Sequence, residues 1–153
     1  LVRSRGLGDV YKRQLQNEIP VKNLFSNGDY GVYVDGYLFF FITMDMFKDQ
    51  KNSYTLYWDR SKEPTMVDNV PTYDLFLRVA KVADGTGSAA SSIGEVRAFN
   101  VKSVLESVNS AEANKDSKSF NLKVNYLNTI NEKDSTDLKW ASYTVLFQVV
   151  KNS

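Results

Sequence analysis

The chain predicts an all-β fold, an antiparallel immunoglobulin-like β-sandwich of about seven strands with room for one short helical turn. Three observations carry that expectation. Apolar residues recur with period two in several separate runs, most clearly in Gly36 to Met46 and Phe120 to Tyr126. Aromatics are abundant, with nine Tyr, nine Phe and two Trp, and such side chains favour strands. Turn-forming clusters separate the runs at short intervals, as in sandwiches.

The run GYLFFFITMDM organises the rest. Leu38, Phe40, Ile42, Met44 and Met46 fall on one face; Tyr37, Phe39, Phe41, Thr43 and Asp45 fall on the other. A central strand with one apolar face and one partly covered face follows. Before it, Ile19 to Phe25 is a short run with Pro20, suited to a sheet edge. Ser26-Asn27-Gly28-Asp29 is a turn cluster, Tyr30 to Val34 is extended, and Asp35-Gly36 turns the chain into the central strand.

Asp49 to Asn52 reads as a polar hairpin loop. The return strand, Tyr54 to Trp58, puts Tyr54, Leu56 and Trp58 on one face. Asp59 to Pro71 is a polar connection. Tyr73 to Val82 is a strand, with Tyr73, Leu75, Leu77 and Val79 opposite Asp74, Phe76, Arg78 and Ala80. Ala83 to Gly94 reads as a small-residue loop, and Glu95 to Val101 as extended chain. Val101, Val104, Leu105 and Val108 have helical spacing, while strand extension into Lys102 fits equally. Ser110 to Lys118 is loop-like. Phe120, Leu122, Val124 and Tyr126 then point inward, with Asn121, Lys123 and Asn125 outward. Asn131 to Asp137 is a hairpin loop, and Trp140 to Val150 closes the chain with Ala141, Tyr143, Val145, Phe147 and Val149 on its buried side.

The chain has 153 residues, enough for one domain with a core. Cysteine and histidine are both absent, which excludes disulfides, thiol nucleophiles, Ser-His-Asp triads and imidazole zinc sites. No apolar run approaches the length of a membrane-spanning helix.

Ser4 to Gln14, SRGLGDVYKRQ, resembles the in-frame translation of a sequencing adapter, and Leu1 to Arg3 go with it. Residues 1–14 are therefore expected to be artefactual, leaving 15–153 as a single β-sandwich domain of an N-terminally truncated protein. Without Arg3, Arg5, Lys12, Arg13 and Asp9 the net charge moves from +1 to −2. The apparent basic arm then gives no reason to expect nucleic acid.

Several segments taken together, GYLFFFITM, SYTLYW, YDLFLRVAKVADG, GEVRAFNVKSV and FNLKVNY, resemble the C-terminal β-sandwich of NigD-like proteins of Bacteroidota. In that family an "LxLRHxAxGD" strand precedes a "VSFDL"-like strand. Leu75 to Gly85 and Val96 to Val101 sit in those places, with Val79 for the family's His and Asn100 for its Asp. The resemblance implies a missing N-terminal OB-like domain and a lost lipid anchor. It also implies a cell-envelope location, as a periplasmic or outer-membrane lipoprotein. It carries over no catalytic residue.

Candidate chemistry is sparse. Asp45, Asp49 and Asp59 would serve a glycosidase only if two of them converged in a cleft; strand ends and turns explain them more simply. Glu132, Asp134 and Asp137 lack the Gly and the terminal Glu of an EF-hand loop. Asp84-Gly85-Thr86-Gly87-Ser88 lacks the Lys-Ser/Thr of a phosphate-binding loop. No catalytic, cofactor-binding or metal site is assigned, and no cofactor or enzyme activity is expected. The positive hint is an aromatic interaction surface made of Tyr37, Phe39, Phe41 and Tyr57, with Tyr33 and Trp140 as further candidates.

The expected function is a non-catalytic extracytoplasmic module that binds a protein or ligand. Carbohydrate binding or carboxylate-dependent glycan chemistry is one alternative. A purely structural domain capping the missing N-terminal domain is the other, and it predicts an apolar patch near Leu15 to Phe25. Expected partners are that domain, another envelope protein or a glycan; no nucleic acid; and a membrane only through the lost anchor.

Overall fold

A computed structural model describes residues 2–4, 13–25 and 33–151. The fold is all-β with one helix. Two sheets face each other across the core. The larger contains β1 (Val2–Ser4), β5 (Lys51–Trp58), β6 (Thr65–Val67), β7 (Val70–Ala83), β9 (Ser119–Asn131) and β10 (Asp134–Gln148). The smaller contains β2 (Asn23–Phe25), β3 (Tyr33–Val34), β4 (Tyr37–Lys48) and β8 (Thr86–Asn100). The turn expected over Ser26 to Asp29 lies outside the described residues, as does Tyr30 to Val32.

β4 is central to the smaller sheet, with β2 and β3 on one side and β8 on the other. Leu38, Phe40, Ile42, Met44 and Met46 are buried against Leu56 and Trp58 of β5, Leu75, Leu77 and Val79 of β7, and Leu122 and Val124 of β9. Period-two alternation put each of these on the correct face. The inward set of β10 is half-buried and packs on the rim of the same core.

Four local expectations are corrected. Thr86 to Gly94 is strand rather than loop. Its small residues have weak strand propensity, and pairing with β4 (Met44 to Ile93, Asp45 to Ser92, Met46 to Ser91) holds it extended. Within Asp59 to Pro71, β6 and β7 form a tight hairpin through Asp68 and Asn69, both at positive φ. The helical spacing after Val101 is a full helix, α1 (Lys102–Asn114), which takes over the start of the stretch read as a loop from Ser110. Val104, Val108 and Glu112 are its buried stripe, one residue per turn. Asn125 points away from the core as expected but is buried, donating through Nδ2 to Asp74 Oδ1 and the Leu75 carbonyl, both at 3.0 Å.

Two strand pairs depart from the antiparallel expectation, β7 with β9 and β1 with β5. β7 and β9 are adjacent and parallel, Thr72 to Leu77 beside Asn121 to Tyr126. Parallel neighbours require a crossover. Here β8 crosses to the other sheet and α1 brings the chain back. β1, within residues 1–14 that were expected to be artefactual, lies parallel beside Leu56–Trp58.

Residues 13–25 tie the sheets together. Lys81 N–H donates to the Asn17 carbonyl and Ile19 N–H to that of Val79, along the end of β7. Val21 N–H donates to the Leu127 carbonyl, and Lys22 N–H then reaches Thr43 on β4. The short edge strand β2 follows.

Candidate interaction surface

β4 alternates, so whatever lies opposite its core face looks outward from the smaller sheet. Tyr37, Phe39 and Phe41 occupy that face and are 37%, 39% and 42% exposed. The pairing widens the strip. Phe41 stands between Phe25 on β2 and Val96 on β8, 49% and 61% exposed. Val34 on β3 lies beside Tyr37 and is 54% exposed. Six apolar side chains from all four strands therefore share one wet face. Monomers scatter apolar residues singly on their surfaces, and contiguous sets mark contact sites.

Local contacts place the rings. A Cβ on Gly94 would fall 2.1 Å from the tip of the Phe41 ring, so the ring lies over this glycine. Tyr37 and Phe39 are in ring contact at 6.4 Å between centroids. Lys102 places its ammonium 5.6 Å from the centre of the Tyr37 ring. Its stem runs past Gly36, whose φ of +89° completes a two-residue turn with Asp35.

The structure does not bring Tyr57 to this surface. Tyr57 lies on the outer face of the larger sheet, opposite Phe76. Phe76 meets Trp140 edge to face at 5.4 Å, and Arg78 lies 5.1 Å from the Trp140 ring. Tyr33 belongs to neither surface; it packs edge to face on Phe147 at the rim between the sheets, 5.2 Å between centroids. Phe25, Val34 and Val96 belong to the strip but were not singled out by the sequence. Their membership depends on strand order and register, which one chain's alternation does not reveal.

The candidate carboxylates are dispersed. Asp45 pairs with Lys22 at 3.4 Å and lines a cleft of about 500 Å³ that includes neither Asp49 nor Asp59. Asp49 is a turn residue at positive φ. Asp59 accepts from the Ser61 N–H and hydroxyl. Asp84, in the same cleft as Asp45, is held by Lys81 at 2.6 Å, and that hydrogen bond keeps its carboxyl below the usual range. Asp134 accepts from Thr136, and Asp137 from Asn131. Glu132 is exposed. Among the described residues no three carboxylates gather as metal ligands would, and no helix is long and apolar enough to cross a membrane.

No family model and no curated sequence matches the chain. Solved structures do share its fold. An uncharacterised protein from Parabacteroides merdae superposes with a TM-score of 0.75 at 22% identity, over 98% of this chain and 67% of its own. A candidate lipoprotein from Bacteroides fragilis superposes with a TM-score of 0.56 at 12% identity, over 94% of this chain and 68% of its own. At these identities the likeness concerns the fold.

Proposed function

We propose that this chain is a non-catalytic interaction module of the bacterial cell envelope that presents the outer face of its smaller sheet to another protein domain. The observation that carries this reading is the strip of Phe25, Val34, Tyr37, Phe39, Phe41 and Val96, all more than a third exposed on one face. Five of the six have no side-chain hydrogen-bonding group. A sugar site needs polar groups beside its aromatic platform. Here they stand at the ends of the strip, Lys102 by Tyr37 and Thr43 and Asp45 beyond Phe41, and its middle is apolar, which suits a protein contact better. The fold shared with a candidate Bacteroides fragilis lipoprotein supports the envelope location. The resemblance to NigD-like sandwiches supports the same location and a lipid tether.

The test is photocrosslinking in the envelope of a Bacteroides host that produces the protein, with a photoreactive phenylalanine at Phe39 or, as control, at Lys123 on the other sheet. A discrete protein adduct from Phe39, absent from Lys123 and lost with Phe41→Asp, is the expected result. Equal adducts at both positions, or none at Phe39, would overturn the reading. A glycan-array signal lost with Phe41→Asp would move it to sugar binding.

A further inference from the structure

β8 is the open edge of the smaller sheet. It pairs with β4 along one side, and among the described residues no strand pairs with its other side. The strand is fifteen residues long, and from Ile93 to Phe99 its pairing is regular. Sheet edges in soluble proteins are normally shortened, bulged, or blocked by proline or lysine. Ile93 to Phe99 holds neither residue. Its two charges are Glu95 and Arg97, and they stand two residues apart on the same face.

That spacing is self-complementary. We infer that two copies of this chain associate through antiparallel pairing of β8 with β8, centred on Val96. In this register Val96 faces its own copy across the two-fold axis, and Glu95 of each chain faces Arg97 of the other. Ala98 faces Gly94, and Ile93 faces Phe99. A shift to the neighbouring two-fold registers removes the Glu95–Arg97 match, so charge selects the alignment.

Within one chain Arg97 is already tethered. It pairs with Glu95, donates to the Val96 carbonyl at 2.8 Å, and lies 4.5 Å from the centre of the Tyr54 ring. These contacts hold both charges at the edge; on pairing, Arg97 releases the Val96 carbonyl to the partner strand and exchanges its own Glu95 for the partner's. The outer face gains continuity, because the row Phe25–Phe41–Val96 meets its copy at Val96 and doubles in length. The pairing uses the edge of the sheet and shares only Val96 with the strip proposed as a docking face, so Arg97→Glu tests the edge without altering the strip.

The experiment is sedimentation equilibrium of the full chain from micromolar to millimolar concentration at low salt. The native chain is expected to dimerise reversibly. Arg97→Glu sets like charges opposite each other twice and should weaken the dimer about tenfold or more. Glu95→Arg with Arg97→Glu exchanges the pair and should restore it. Val96→Lys sets two lysines across the axis without touching the interior, and should leave a monomer that still unfolds cooperatively, with a melting temperature that no longer rises with concentration. A native chain that stays monomeric throughout, or an Arg97→Glu dimer as tight as the native one, would overturn the inference. So would failure of the exchanged pair to recover association while still folded.

Discussion

Arg78 donates through Nη2 to Glu18 Oε1 at 2.6 Å, with both side chains sealed from water, 2% and 0% exposed. The pair does not sit in the central core. It lies on the outer face of the larger sheet, under residues 13–18, and the Arg13 carbonyl accepts from the same guanidinium at 2.8 Å. Glu18 also accepts the Leu15 N–H at 2.8 Å, and the Trp140 ring closes the site. Sixty residues separate the partners in sequence, so the contact fastens the incoming chain to β7.

Removing one partner leaves the other charged and buried. Glu18→Ala or Arg78→Ala is therefore expected to lower unfolding free energy by about 3–5 kcal/mol. Glu18→Leu with Arg78→Met should recover much of that loss, since an apolar pair carries no desolvation penalty. Urea unfolding of the two single variants and the double variant gives the coupling. Additive losses would show that the contact is not the fastening described here.

The helix is fastened by a carboxylate as well. Glu112, buried at the end of α1, accepts from the Tyr73 hydroxyl, from Ser117 Oγ at 2.8 Å and from Lys115 Nζ at 3.2 Å. Burial alone would raise its pKa, but the bonds from Tyr73, Ser117 and Lys115 outweigh burial and hold the carboxyl below its usual range. A depressed native pKa stabilises the fold above the unfolded value, near 4.3, and that contribution disappears as pH falls through the native value. Glu112→Gln should cost about 1–3 kcal/mol at pH 7, with the gap to the native chain narrowing at pH 3. Denaturant melts at the two pH values check this. A gap that stays constant with pH would remove the charge from the explanation.

Glu112 also shows where the sequence was legible and where it was not. Leu38 to Met46 and Phe120 to Tyr126 declared their buried faces, because a two-residue period is local. Tyr37, Phe39 and Phe41 were legible as an outward face for the same reason. Glu112 was not: the Val104–Val108 spacing extends to it, but a carboxylate there gives no apolar signal, and its partner Tyr73 is 39 residues away. Thr86 to Gly94 was misread because small residues give no periodic signal, and β4 supplies the order that they lack. Tyr57 went to the wrong surface because alternation tells which side of its own strand a residue takes, not which sheet that strand joins.

Tyr54 tests the alkaline side. Its hydroxyl is out of water, and among the described residues no group reaches it in hydrogen-bonding geometry; Asn52 and Glu95 are its polar neighbours. Burial, opposed by Asn52 and reinforced by Glu95, pushes its pKa up to about 12. A raised native pKa gives stability that is intact below the unfolded value near 10 and is lost as pH rises toward 12. Tyr54→Phe removes an unsatisfied polar atom, so stability at pH 7 should hold or rise by up to about 1 kcal/mol. The variant should also lose less stability than the native chain between pH 9 and 11. Thermal melts across that range decide it, and a loss above 1 kcal/mol at pH 7 would reveal a bonding partner for the hydroxyl.

Gly94 and Phe41 separate surface from core. Phe40 is 1% exposed and Phe41 42% exposed, although they are neighbours on one strand. Phe40→Ala should cost about 3–5 kcal/mol, as for a buried aromatic. Phe41→Ala should cost far less, because much of its ring is already wet. Gly94→Ala is the sharper probe. The added methyl meets the ring tip of Phe41 first, at 2.1 Å before any adjustment, and an exposed ring can swing aside. Alanine also removes the entropic penalty of glycine in a strand, worth about 0.5–1 kcal/mol. Unfolding free energy should therefore stay within about 1 kcal/mol of native, while the ring-edge contacts of Phe41 in a nuclear Overhauser spectrum move away from position 94. A large destabilisation would mean that Phe41 is wedged in place, and the strip would then be part of the core rather than a surface kept for a partner.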